Sequence, residues 1–120
     1  MRYLTLLIVL MVCCEAKYVP EDGVYAVSET MPSYESGISA LNAYVSGEVE
    51  KADLEEKGSV FVSFIVTTDG QVGETTIING ASDLLNEKAI SILRNAPGKW
   101  VPGTEEGQPV EVKMVYPVRF

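Results

Sequence analysis

Strict alternation over Ser59–Thr67 constrains this chain more than any other feature. Val60, Val62, Phe64 and Val66 fall on one side of an extended segment; Phe61, Ser63, Ile65 and Thr67 fall on the other. Thr68-Asp69-Gly70-Gln71 follows, and Asp-Gly predicts a tight type I′ turn with positive φ. Val72 to Ile78 is then the returning strand, ending at Asn79-Gly80. A hairpin with one apolar side must bury that side against something. Two helices are available. Ile38, Leu41, Tyr44 and Val45 recur at helical spacing, with Ser36 as the expected N-cap and Gly47 as the expected stop. Leu85, Ala89, Ile92, Leu93 and Ala96 make a second apolar stripe over about Asn86–Ala96, capped by Asn86 or Asp83 and ended by Pro97-Gly98. The acidic run Glu48–Lys57 reads as a solvated linker or a ragged helix end. Val110 to Val118 alternates again, and Pro117 near its end marks an edge position. The expected fold class is α+β: a small three-stranded antiparallel sheet with two helices packed on one face.

Composition removes most catalytic chemistry. The chain has no histidine, and its two cysteines are adjacent, Cys13 and Cys14. No zinc site, Cys–His nucleophile or long-range disulfide can be assembled from that set. The acids Glu48–Glu56 lack the spacing of a calcium loop. Ser82 and Ser91 have no base beside them in the sequence, and Asp69 reads as a turn former. Trp100 reads as a structural residue locking its loop to the core, and Arg94 and Lys99 as partners for acids at the helix end. The expectation is a non-enzymatic protein without cofactor or metal. Net charge is −8, from 17 acids and 9 bases, which disfavours nucleic acid as a partner.

The N-terminus reads as an address. Met1-Arg2 supplies one positive charge, and Tyr3–Cys14 is apolar apart from Thr5. A twelve-residue helix reaches only about 18 Å, short of the roughly 20 residues needed to cross a bilayer. Residues 1–14 therefore read as a secretory signal, of lipoprotein type with the acyl chain on Cys14. An ordinary cleaved signal and a short retained anchor are the alternatives, and cleavage before Cys13 is another. Residues 15–36 read as a short linker or extended segment, including Val24–Val27, and residues 37–120 as one domain.

Several motifs then occur in an ordered series. They are the run from Gly58 through Asp69-Gly70-Gln71-Val72, then Leu85-Asn86-Glu87-Lys88-Ala89, and Pro97-Gly98-Lys99-Trp100-Val101-Pro102-Gly103. Gly107-Gln108-Pro109-Val110 and the terminal Tyr116-Pro117-Val118-Arg119-Phe120 complete it. In this order and spacing they resemble the C-terminal domain of the TonB energy-transducer family. The resemblance implies a periplasmic, envelope-facing domain in transmembrane transport. It implies binding to a peptide segment of TonB-dependent outer-membrane transporters by β-strand addition at the last strand. Carried onto this chain, that edge is Val110, Glu111, Val112, Lys113, Met114, Val115 and Tyr116. Self-association into a homodimer through the same edge is a second use of it. Three features depart from a full transducer: the apolar run is short, no proline-rich spacer follows it, and Glu48-Val49 stands where a Tyr-Pro is usual. They favour, as the alternative, a lipid-anchored structural or adaptor envelope protein that kept the fold and lost energy transduction.

Overall fold

The computed structural model describes residues 19–120. Cys13, Cys14 and the whole signal segment lie outside the described residues. The elements are β1 (Val24–Tyr25), β2 (Ser33–Tyr34), α1 (Ile38–Ala52), β3 (Ser59–Val66), β4 (Val72–Asn79), α2 (Asp83–Arg94), β5 (Trp100–Val101), β6 (Gly103–Glu105) and β7 (Gln108–Arg119). The fold is α+β, as the alternation and the two helical stripes predict.

The sheet is built on β3. It pairs antiparallel with β4 on one side and with β7 on the other, so the order is β1-β7-β3-β4. Three antiparallel strands were expected. Two short strands are added: β1 lies parallel to β7, and β6 pairs antiparallel with the start of β7. A separate ribbon joins β2 to β5. These pieces come from loop and linker segments too short to show alternation, so only the long strands are visible as a pattern. The segment before residue 37 therefore contributes strands as well as length.

Val60, Val62, Phe64 and Val66 are buried, and opposite them stand Val118, Tyr116, Met114 and Val112. Both helices lie against this side. Leu85, Ala89, Ile92 and Leu93 of α2 and Leu41 and Val45 of α1 complete the core with Tyr34 and Trp100. Tyr44 ties the helices together, its hydroxyl donating to the Ile92 carbonyl at 3.0 Å. On the other side of the sheet Ser63 is buried and Phe61, Ile65 and Thr67 are half-buried.

Local signals were displaced in three places. Helix α1 runs through Gly47 to Ala52, with Gly37 rather than Ser36 at its N-cap. A mid-helix glycine costs only about 1 kcal/mol, and packing of Tyr44, Val45 and Val49 on the core outweighs it. Asp53 then takes the left-handed conformation and ends the helix. Helix α2 begins at Asp83 because the Ser82 hydroxyl accepts the Leu85 N–H, so Ser82 is the cap; Asn86 instead accepts the Ala81 N–H. The β3–β4 loop is not type I′. Only Gly70 has positive φ, the Gly70 N–H donates to the Thr67 carbonyl, and the Thr67 N–H donates to the Gln71 carbonyl. This is a three-residue loop: a type I turn followed by one left-handed residue.

Trp100 is held by that loop. Its N–H donates to the Gly70 carbonyl at 2.9 Å, and its ring meets Phe64 and Tyr34 at 5.2 and 5.4 Å. Among the described residues Arg94 pairs with no acid; it donates to the Gly73 carbonyl and the Thr75 hydroxyl.

A Cβ on Gly70 would stand 2.2 Å from the Trp100 carbonyl oxygen, whereas one on Gly107, also at positive φ, would meet nothing within 4 Å. Gly107→Ala should cost about 1–2 kcal/mol of unfolding free energy, the left-handed penalty alone. Gly70→Ala should cost at least about 2 kcal/mol more, because the Trp100 backbone must move as well. Chemical denaturation of the two variants reads the difference, and equal losses would exclude a tight Gly70–Trp100 contact.

Candidate functional site: the outer edge of β7

The hydrogen-bonding phase of β7 follows from its end. Phe120 and Gly58 exchange both backbone bonds, at 2.8 and 3.4 Å. Directly opposed residues of an antiparallel pair alternate between exchanging both bonds and exchanging none. The register is unbroken from Ser59↔Arg119 to Val66↔Val112. Val118, Tyr116, Met114 and Val112 therefore turn their N–H and C=O toward β3. Arg119, Pro117, Val115 and Lys113 turn theirs away from it.

The seven residues expected to form the binding edge divide into two groups. Val110 is paired with Gly103 of β6, and Glu111 and Val112 lie alongside Val24 and Tyr25 of β1. Val112 is fully buried. Met114, Val115 and Tyr116 have β3 as their only strand neighbour among the described residues. With Val112 turned toward β3, the parallel pairing with Tyr25 runs through the outward groups of its neighbours, so the Lys113 N–H faces the Tyr25 carbonyl; the free outer edge runs from the Lys113 carbonyl to Arg119, and Pro117 interrupts it, having no N–H to offer.

An apolar groove lies beside this edge. It consists of two adjoining hollows of about 350 and 440 Å³ that share Ile38, Val115 and Tyr116. Pro32, Tyr34 and Trp100 wall one end, and Asn42, Val45 and Arg119 the other. Ile38 and Val115 are 58% and 51% exposed, so the groove has apolar walls open to solvent. Its α1 wall was not anticipated: helical spacing placed Ile38 on the core side, but at the first turn of α1 it overhangs the strand edge. Its proximity to a strand about 77 residues away in sequence leaves no local signal. The Tyr116 hydroxyl donates to Asn42 at 2.5 Å and bridges the groove floor to α1. The Trp100 ring nitrogen is buried and has no hydrogen-bond partner among the described residues.

A trough of about 470 Å³ on the solvent side of the sheet is lined by Asp22, Glu74, Glu111, Lys113, Thr67 and Thr76 among others. It is polar and does not adjoin the open length of β7 beyond Lys113.

Burial pushes the Tyr116 phenol above the ordinary tyrosine value of 10.0. Burial raises Tyr44 too, helped by the Glu48 carboxylate and by Tyr34. A raised phenol favours the neutral form in the folded state, so its stabilising contribution is complete below 10.0 and is lost as pH rises beyond it. In an ultraviolet titration, Tyr116→Phe should remove a phenol that ionises later than free tyrosine. If the lost absorbance change falls at the ordinary tyrosine pH, the Tyr116–Asn42 floor is open to water.

A search of curated proteins found no match, and neither did a search of solved structures. One family matches, described as Gram-negative bacterial TonB protein C-terminal, over residues 50–120. That span takes in β3, β4, α2, β5, β6 and the whole of β7. The match covers more than half of the chain, and the chain belongs to the TonB C-terminal domain family.

Proposed function

We propose that this protein is a periplasm-facing interaction module in transmembrane transport, binding an extended peptide segment of a TonB-dependent outer-membrane transporter by β-strand addition. The observation that carries the reading is the unpaired outer edge of β7 at Lys113–Tyr116, lying beside an apolar groove. Backbone pairing with Val115 and the Lys113 carbonyl supplies the docking bonds, and alternate side chains of the added strand enter the groove. The protein acts by binding and not by catalysis; the absence of histidine from the chain supports this.

Proline substitutions at neighbouring positions test the reading. Val115 turns its N–H outward, so Val115→Pro should leave the β3 ladder intact and shift the thermal melt by only a few degrees. It should weaken binding to the N-terminal periplasmic segment of a transporter from the same host at least about tenfold, through one lost bond and a displaced strand. Met114 bonds inward, and Met114→Pro should unfold the domain. Full binding by a folded Val115→Pro variant would end the strand-addition reading.

The second reading is a lipid-anchored structural or adaptor protein of the envelope. It is favoured by the short apolar run ending at Cys14. No helix among the described residues is long and apolar enough to cross a membrane. Intact mass of the protein extracted from its host membranes should show a chain beginning at Cys14 with added acyl mass. A chain retaining Met1 would remove the lipid anchor from the reading.

A further inference from the structure

We propose that the trough on the sheet face turned away from the helices binds a compact zwitterion, with a primary ammonium and an anionic oxygen at the two ends of a short carbon chain. The site is separate from the β7 edge and does not rest on the strand-addition reading. Its floor is Ser63 and Ile65 of β3. Ser63 is only 5% exposed, and the alternation of β3 puts its side chain on this face. Its hydroxyl makes no hydrogen bond to any described residue. A buried polar group without a partner is costly, and the trough is open for a ligand to supply one.

Charges of both signs flank that floor without neutralising each other. Lys113 stands opposite Ile65 on the β7 side. Glu74 stands on the β4 side, next to Thr75, the partner of Phe64. The two rows are two strand spacings apart, about 10 Å. Among the described residues Lys113 makes no ion pair with Glu74, nor with Asp22 or Glu111, which also line the trough. Beside Glu74 the β4 wall is Gly73, at a shift in register, and its carbonyl accepts from Arg94 at 3.1 Å. A Cβ there would stand 3.1 Å from the Thr67 methyl, so the bare backbone keeps the trough close-walled and open at once.

Separated charges of this kind sort ligands. A lone anion meets three carboxylates on a chain of net charge −8. A lone cation meets the Lys113 ammonium. No three acids among the described residues are grouped so as to hold a metal ion. A zwitterion sets its ammonium at Glu74 and its anionic oxygen at Lys113, with its carbon chain over Ile65 and the Ser63 O–H within the same floor. A free amino acid and the ethanolamine phosphate headgroup of a lipid share this chemistry.

Amide proton–nitrogen correlation spectra of the purified protein test this, with β-alanine and glycerophosphoethanolamine as probes. At least one probe should shift the amides of Ser63, Ile65 and Thr76 to saturation. Ethylamine and propionate, each carrying one of the two charges, should bind roughly fivefold more weakly or worse. Lys113→Gln and Glu74→Gln should each weaken the zwitterion by a similar factor, and Ser63→Ala by roughly threefold. The spectrum of each variant away from the trough reports that the fold is kept. Tighter binding of β-alanine marks a free amino acid as the source, and tighter binding of glycerophosphoethanolamine marks a lipid headgroup. Ethylamine or propionate binding as tightly as the zwitterions would overturn the proposal. So would variants that bind like the wild type, or no saturable shift with either probe. None of these results bears on strand addition at β7.

Discussion

The antiparallel pairing of β3 with β7 is the interaction on which the rest depends. It runs without a bulge from Ser59 and Arg119 to Val66 and Val112. It places Val60, Val62 and Phe64 against Val118, Tyr116 and Met114 on one surface, and both helices close over that surface. The same register fixes which backbone groups of β7 turn outward. An open edge with a defined phase is a consequence of the core, and no separate device is needed to present it. A one-residue slip would move the apolar set to the solvent side and would also bring the odd-numbered groups inward. Core and edge are therefore specified together.

The outward edge is then trimmed from both ends. β1 occupies the side of Glu111 and Val112, held by a turn in which the Gly23 N–H donates to the Pro20 carbonyl and the Val24 N–H to Asp22. Pro117 removes the donor two residues past Val115. A long exposed edge invites aggregation, and short length and proline are common remedies. Here they leave Lys113 to Tyr116 usable.

The long elements were legible in the sequence because each carries its own period. The alternation of Ser59–Val66 and of the last strand survives intact, and so does the stripe Leu85, Ala89, Ile92 and Leu93. Features set by tertiary contacts were not legible. Gly47 reads as a stop, yet packing carries α1 across it. Ile38 reads as core, yet at the start of α1 it stands exposed on the groove wall. Asp69-Gly70 reads as a two-residue turn, yet Trp100, arriving from about 30 residues downstream, fits against Gly70. The edge itself was legible only in part. Pro117 advertised it, but the covering of Val110–Val112 by β6 and β1 depends on segments of two or three residues, too short for any period.

The shortness of the window determines where affinity must come from. Val115 offers one donor and one acceptor and Lys113 a second acceptor, and each such bond nets only about 1 kcal/mol against water. Association costs roughly 4–15 kcal/mol in lost freedom. Three bonds therefore cannot hold a partner alone, and the deficit has to be met in the groove. Its apolar walls, Ile38, Tyr34, Pro32 and Val115, supply a hydrophobic contribution that the backbone ladder lacks. Backbone pairing is blind to sequence, so a partner held mainly by its side chains is one the groove can tell from others. An edge this short is weak against strands at large and becomes effective only for the segment whose side chains fit.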